Sequence, residues 1–497
     1  MDGQGDFKDV SDLDRDEEIV QVKPDISGDF ADVSISCSDA TGLGCDIARV
    51  IFNFGLTVYN GDFSTDGRWC FVMLHVRPCF GNPPCASNWG LLKRHLLRVC
   101  YSERRVGNST TTNGYQGNKK FILQIQFQDK IGTLHNIIHC LWESDLVVHK
   151  ANISTSPDDK GLDVFYVSDK HDKLPKQSRI NQIQAVINKN MKGCSDLKLH
   201  CHAYPTSNFS SRTSSRLLTG TRACKDSRST LPLLRTLSNR DRNGSRRSSN
   251  GSESLDLLPK FNVAEIIKTL KVHADNLVSS THTVLQIECI DRKGLMYDLF
   301  RIAKDIGLQI SYGKISLDEV GKLCKADLFV HECEFGQKLN DEAIAFTCTE
   351  IKNAITSSIL VKVHNKMQDM ADSPRTILQT EVLAVAPVDS GFRGRPRVLY
   401  DLTATFHALD VSIFHAEMYT VEIQDGGDPS DKRYQEVHRF VIQGKNGKPI
   451  SSREDLEVIE TELYSRLIGN NSETTNSSSE YTNVQVLEQF IQYGILD

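Results

Sequence analysis

The chain has 497 residues, of which 39% are hydrophobic and 25% are charged, and its formal net charge is −6. This length exceeds that of one ordinary domain, and the apolar content supports several small cores. The acidic balance gives no indication of a nucleic-acid or membrane-surface partner. No apolar run reaches the roughly 18 residues of a membrane-spanning helix.

The N-terminal segment, residues 1–29, is strongly acidic and is expected to be a disordered tail. Its composition differs from that of a secretory signal or a transit peptide, which indicates a cytoplasmic protein, with the nucleus as the alternative. The 14 cysteines include no C-x-x-C pair. We therefore expect reduced thiols packed as small apolar side chains, and neither a metal site nor a cofactor.

Three segments of the chain align without a gap, and each begins at an aspartate: Asp39, Asp129 and Asp291. The aspartate closes an alternating run (DVSISCSD, FILQIQFQD and TVLQIECID), which is typical of a half-buried strand. Three residues later each segment has a glycine: Gly42, Gly132 and Gly294. A glycine at this point allows the turn to adopt a positive φ or to approach another chain closely.

Each glycine is followed by an amphipathic pattern that predicts a helix, and then by a second strand. A third strand is predicted in RWCFVMLHV, GLDVFYVS and KADLFVHECEF, and a second helix at about 88–99, 176–190 and 341–354. The runs LKLHCHAY and ILVKVHN are interpreted as the closing strands of the second and third units. The order β-α-β-β-α-β is ferredoxin-like, with both helices on one face of an antiparallel sheet. Because so small a unit buries little surface, we expect units to pair within the chain or in a homodimer.

A fourth unit has altered loop chemistry. Its predicted elements are the strand ILQTEVLAVA, the helix RVLYDLTATFHAL, the strand DKRYQEVHRFVIQG and a helix at about 452–467. Gly394 stands where the aspartate should be and Arg397 where the glycine should be. A large cationic side chain would crowd the backbone there, so this unit is interpreted as a structural partner or as a binder of something anionic.

Residues 205–260 are rich in Ser and Arg, and this composition predicts a disordered linker between the second and third units. The linker is either a plain tether or one that carries a kinase site or a weak nuclear-import patch. Residues 471–497 form a polar tail, in which VQVLEQFI is the candidate closing strand of the fourth unit.

Repeated modules with the loops DATGLGCD, DKIGTLHNI and DRKGLMYDL, and with no attached catalytic domain, resemble the plant ACT-domain-repeat proteins. They are also similar to the C-terminal regulatory modules of the bacterial uridylyltransferase. The resemblance implies an α+β fold of tandem ferredoxin-like (ACT) modules at residues 30–105, 119–204, 280–365 and, in divergent form, 376–470.

The resemblance also implies that an amino acid or a related small ligand binds in the loop between the first strand and the first helix. Unpaired N–H groups and the positive end of the helix dipole suit a carboxylate. The candidate ligand-binding residues are Asp39, Gly42, Leu43, Asp129, Gly132, Thr133, Asp291, Gly294 and Leu295. A purely structural role remains open, since the same aspartate and glycine would turn the chain and cap the helix.

No catalytic constellation is present: G-x-S-x-G, Walker and dinucleotide motifs do not occur in the sequence. We therefore expect a non-catalytic sensor that binds an amino acid and contacts a protein partner, with no nucleic acid and no membrane among its partners. One alternative is a scaffold of modules without ligand. A remote alternative is RNA binding, because the RRM has the same element order; RWCFVML resembles its RNP1 strand but lacks the glycine.

Overall fold

The structure is a computed structural model, and it describes residues 19–79, 88–102, 120–156, 158, 160–169, 176–190, 198–203, 268–318, 322–356, 359–369, 376–424 and 432–469. The predicted linker at 205–260 and the polar tail with its candidate strand VQVLEQFI lie outside the described residues.

The first unit consists of β1 (Val20–Pro24), β2 (Ala31–Ser38), α1 (Leu43–Asn53), β3 (Leu56–Thr65), β4 (Trp69–Pro78) and α2 (Trp89–Ser102). The second consists of β5 (Lys120–Gln128), α3 (Thr133–Glu143), β6 (Leu146–Thr155), β7 (Lys160–Asp169), α4 (Gln177–Asn190) and β8 (Lys198–Ala203). The three predicted β-α-β starts are confirmed, because each helix begins directly after its loop glycine.

The third unit consists of β9 (Lys271–Asp275), β10 (Thr283–Ile290), α5 (Leu295–Asp305), β11 (Leu308–Leu317), β12 (Leu323–Glu332) and α6 (Asp341–Thr356). The fourth consists of β13 (Leu360–Asp369), β14 (Thr376–Pro387), α7 (Val398–Ala408), β15 (Ser412–Gln424), β16 (Lys432–Gln443) and α8 (Arg453–Ile468). The elements predicted for the altered fourth unit are thus confirmed.

Two eight-stranded antiparallel sheets organise the described chain. The first and third units share one sheet, with the order β1-β2-β4-β3-β11-β12-β10-β9. The second and fourth units share the other, with the order β13-β14-β16-β15-β6-β7-β5-β8. The units join by their edges, β3 to β11 and β6 to β15. The modules therefore pair within the chain. This is one of the two arrangements expected from the sequence, the other being a homodimer.

The helices of each unit pack on one face of its sheet, because each presents an apolar stripe. In α1 the buried positions include Ile47 and Ile51, the pair predicted from the i, i+4 spacing. The helical sides of the two sheets contact each other. Phe54 after α1 packs edge-on against Trp142 of α3, at 5.1 Å between ring centroids, and the Lys293 N–H donates to the Ile468 carbonyl of α8 at 2.8 Å.

Two predictions about edge strands are wrong. The acidic segment 1–29 is not tail throughout, because β1 pairs with β2, Val20 opposite Ile35. The run ILVKVHN does not close the third unit, because it lies in β13 and pairs with β14 of the fourth unit. In the third unit the edge position is taken by β9, which pairs with β10. Alternating residues predict a strand but not its neighbour, and an edge position can be filled from either end of a unit.

Candidate functional site

The aspartate of each loop ties the end of the first strand to the neighbouring strand. Asp39 Oδ1 accepts the Ala40 N–H at 2.8 Å, and its Oδ2 accepts the Thr65 hydroxyl at 2.6 Å. Oδ2 also accepts the Gln309 side-chain amide of the third unit at 3.4 Å. The first loop is therefore bound to its own unit and to the unit beside it.

The equivalent carboxylates differ in their surroundings. Asp129 Oδ2 accepts the Thr155 hydroxyl at 2.8 Å, which repeats the first unit. The third unit has Leu317 at the position of that threonine. Burial raises the pKa of Asp291 to about 6, although Arg77 and Arg292 favour its charged form. The third loop therefore lacks the threonine hydroxyl that the carboxylates of the other two loops accept.

The glycine of each loop has a left-handed backbone conformation at the start of its helix, which confirms the positive φ predicted from the sequence. The φ angles are 84° at Gly42, 86° at Gly132 and 78° at Gly294. In the fourth unit Arg397 adopts the same conformation, with φ 68°. The residues that follow the three glycines, Leu43, Thr133 and Leu295, are buried.

Different side chains of other units face each glycine. A Cβ atom placed on Gly42 would lie 2.8 Å from Lys304 Cε, near the flexible end of that side chain. The His407 imidazole is packed against Gly132. Gly294 is covered by the Phe52 ring and by the Arg395 guanidinium. These contacts determine which loops have free space beside them.

A cavity of about 50 Å³ lies beside the first loop, between α1 and β3 of the first unit and α5 and β11 of the third. Its polar lining includes Asp39, the Gly42 backbone, Lys304 and Gln309. Phe63 and Phe300 form an apolar wall, with their rings edge-on at 4.8 Å between centroids. Within the described residues the Lys304 ammonium makes no ion pair, so it is available to an anionic group in the cavity.

Two cysteines also line this cavity, and their protonation limits the chemistry available. Burial raises the pKa of Cys45 to about 11 and that of Cys70 to about 12. Both thiols are therefore neutral near pH 7 and are poor nucleophiles or metal ligands. The described residues include no group of three or more His, Cys, Asp or Glu side chains that could hold a metal ion.

The second loop is filled by imidazoles. His407 stacks on His135, with 6.0 Å between ring centroids, and His135 also lies edge-on to Tyr400 at 4.9 Å. Burial and the neighbouring His407 lower the pKa of His135 to about 4. The two imidazole rings thus pack together beside Gly132.

A repeated ion pair links the fourth unit's loop to three helices. The fourth residue after the loop glycine, or after Arg397, is an aspartate in three units: Asp46, Asp298 and Asp401. Each of these aspartates pairs with a different arginine of the segment Arg393-Gly394-Arg395-Pro396-Arg397. The N···O distances are 2.7 Å for Arg393–Asp46, 3.3 Å for Arg395–Asp298 and 3.2 Å for Arg397–Asp401.

The structure brings together only part of the predicted site. Asp39, Gly42 and Leu43 line the cavity, whereas Gly132 and Gly294 face packed side chains of the same chain. Sequence reasoning missed Lys304, although the repeat register contains a signal for it. The tenth residue after the loop glycine, or after Arg397, is Phe52, Trp142, Lys304 or His407, and the lysine is the exception in charge and flexibility.

Three family models match the chain. They are the N-terminal region of ACT domain-containing protein ACR10 at residues 21–101, the ACR9-like, ACT-like domain at 271–369, and the C-terminal region of ACT domain-containing protein ACR9 at 380–469. Together these ranges cover more than half of the chain.

Three relatives extend this result. ACT domain-containing protein ACR10 of Arabidopsis thaliana is 28% identical over 463 residues, which cover 91% of this chain and 98% of ACR10. ACR9 of the same organism is 29% identical over 434 residues, which cover 86% of this chain and 92% of ACR9. A bifunctional uridylyltransferase/uridylyl-removing enzyme of Azospirillum brasilense is 40% identical over 72 residues, 14% of this chain and 7% of that enzyme.

The paired ferredoxin-like units and their glycine loops define a tandem ACT-domain protein. Within that class the chain belongs to the ACT-domain-repeat family of plants, to which ACR9 and ACR10 also belong. The resemblance drawn from the loop motifs is thereby confirmed. In the described part of the chain no helix is both long and apolar enough to cross a bilayer.

Proposed function

We propose that this ACT-domain regulatory protein is a non-catalytic sensor that binds one free amino acid in the cavity between Gly42 and Lys304. The observation that carries the proposal is the Lys304 ammonium, which has no acidic partner in the described structure and lies over the start of α1. A ligand carboxylate placed there would meet a cation and the unpaired N–H groups of a helix N-terminus.

Another residue of the cavity lining suits the other charge of an amino acid. Asp39 supplies a carboxylate held in place by Thr65 and Gln309. A zwitterionic amino acid would place its α-ammonium group close to Asp39 and its α-carboxylate group close to Lys304. A cavity of about 50 Å³ holds a few water-sized groups, which favours a small amino acid.

The surroundings of the cavity favour binding over catalysis. Its two thiols are neutral because burial raises their pKa to about 11 at Cys45 and about 12 at Cys70. None of the histidines of the described chain lines the cavity, so no general base with an ordinary pKa near 7 is at hand. We propose a cytoplasmic protein, with the nucleus as the alternative, that transmits ligand binding to a protein partner.

The proposal is tested by a thermal-shift screen of the full chain against the twenty amino acids. One small amino acid is expected to raise the melting temperature by mass action in the wild type, and to lose this effect in Lys304→Ala. Lys322→Ala is the matched control, because Lys322 is an exposed lysine of the same unit that does not line the cavity. A shift that persists unchanged in Lys304→Ala would place the ligand elsewhere.

The second candidate function is a protein-interaction scaffold, and one surface favours it. Phe71 and Met73 of β4 are 56% and 52% exposed on the face of the first sheet away from the helices, with Tyr312 of β11 at 41%. Neighbouring exposed apolar side chains of this kind mark interaction surfaces. If no amino acid at millimolar concentration shifts the melting temperature of the wild type, the scaffold becomes the preferred function.

A further inference from the structure

The third loop contacts an arginine where the first loop has a cavity. Units one and three are related by a fixed register, in which Gly294 corresponds to Gly42 and Phe52 to Lys304. Beside Gly294 lies the guanidinium of Arg395, which comes from the fourth unit. The space that a ligand would need at this loop is therefore filled by a side chain of the same protein.

Three groups hold this guanidinium. Asp298 accepts from its Nε and Nη2 atoms, one carboxylate oxygen each, both at 3.3 Å. The Lys293 carbonyl accepts a second bond from Nη2 at 2.7 Å. The Phe52 ring lies under the guanidinium carbon, which is 4.7 Å from the ring centroid. Two-point contact with a carboxylate and stacking on an aromatic face are the features by which proteins recognise a guanidinium rather than an ammonium.

The contact is sealed from water. The side chains of Arg395 and Asp298 are 1% and 0% exposed, and Phe52 is 2% exposed. Arg292 also pairs with Asp298, at 2.6 Å. Burial opposes ionisation of Asp298, but Arg395 and Arg292 outweigh it and keep the pKa of that carboxyl below its usual range.

The neighbouring arginines of the same segment differ from Arg395. Arg393 pairs with Asp46 and Asp389, and its side chain is 32% exposed. Arg397 is buried, but it donates to the Asn53 carbonyl at the end of α1 and pairs with Asp401 of its own helix. Arg395 is thus the member of the segment that sits against a loop glycine of another unit.

We propose that the third ACT loop is a guanidinium-binding site, built from Asp298, the Lys293 carbonyl and Phe52, that the chain fills with its own Arg395. The occupied site latches the fourth unit onto the first and third units and is closed to free ligand. This inference does not depend on amino-acid binding at Gly42, because it rests on contacts at a different loop.

The test is chemical rescue in the full chain. Arg395→Ala is expected to lower the melting temperature, and millimolar methylguanidinium is expected to restore part of the loss by entering the vacated site. Methylammonium at equal ionic strength should restore nothing, and the wild type should respond to neither compound. No recovery with methylguanidinium, or equal recovery with methylammonium, would overturn the proposal.

Two further variants keep the test decisive. Arg393→Ala is the control for general effects, because its guanidinium is partly exposed and leaves no sealed site; recovery there equal to that in Arg395→Ala would overturn the proposal. Arg395→Lys keeps the charge next to Asp298, so it should fold even if Arg395→Ala does not. Its melting temperature should lie below that of the wild type, and a value equal to the wild type would show that charge alone suffices.

Discussion

At the scale of single residues, the side chains that face the loop glycine determine what each loop can hold. Lys304 leaves a cavity beside Gly42, whereas His407 and Phe52 fill the space beside Gly132 and Gly294. A lysine side chain is long and flexible and keeps its ammonium near water, but an aromatic ring packs as a rigid body. Loops with the same motif can therefore differ in whether they admit a ligand.

Glycine substitutions measure this difference directly. Gly294→Ala should cost about 1–2 kcal/mol for the positive φ, plus about 1–3 kcal/mol for overlap with Arg395 and Phe52. Gly67 has the same kind of backbone, with φ 83° and open space around it, so Gly67→Ala should show the backbone cost alone. Thermal melts of both variants check the ordering, and equal losses would mean that Gly294 is not tightly covered.

Histidine burial predicts a dependence of stability on pH. Burial, with a contribution from Lys120, lowers the pKa of His149 to about 4 in the folded chain, while an unfolded histidine has a pKa of about 6.5. The unfolded state therefore binds more protons between these values, and stability falls as the pH drops from 6.5 towards 4.

His149→Gln should reduce this acid sensitivity. Between pH 7 and pH 5 the variant is expected to lose less stability than the wild type, by on the order of 1–2 kcal/mol. The measurement is the change in melting temperature between the two pH values. His273→Gln on β9 is the control, because His273 is exposed; an identical pH response in both variants would contradict the account.

At the scale of elements, the sequence predicts what is encoded locally. The helices α1, α3 and α5 start where their glycines stand, and α2, α4 and α6 fall close to the positions expected from apolar periodicity. Local patterning fails for β13, whose partner depends on which unit offers a free edge. It also fails for Lys304, whose role depends on a contact with Gly42 across two units.

The edge pairing of β3 with β11 depends on a glycine in β11. Gly313 of β11 lies opposite Phe63, and the Phe63 ring occupies the place of a Cβ atom. Gly313→Ala should therefore push the ring away and weaken the edge pairing between the first and third units, by about 1–3 kcal/mol. Gly90 of α2 has open space around it, so Gly90→Ala should instead stabilise by about 0.5–1 kcal/mol. Thermal melts that show the two variants changing in the same direction would contradict this view.

At the scale of the whole molecule, α1 connects the cavity to the fourth unit. Its first residues border the cavity at Gly42 and Leu43. Further along, Arg49 donates to the Gly394 carbonyl at 2.9 Å and pairs with Asp389 at 3.1 Å. A ligand that orders the start of α1 would therefore act on a helix that also contacts the segment Arg393-Gly394-Arg395-Pro396-Arg397. Binding at the first sheet would in this way affect the fourth unit, which belongs to the second sheet.

The most direct test of the central claim is a calorimetric titration of the full chain with the amino acid identified in the thermal-shift screen. One ligand should bind per chain, because the cavity beside Gly42 is open while the Gly132 and Gly294 loops are filled by side chains of the protein. Binding should be lost in Lys304→Ala and retained in Lys322→Ala. Two or three ligands per chain, or unchanged affinity in Lys304→Ala, would contradict the central claim.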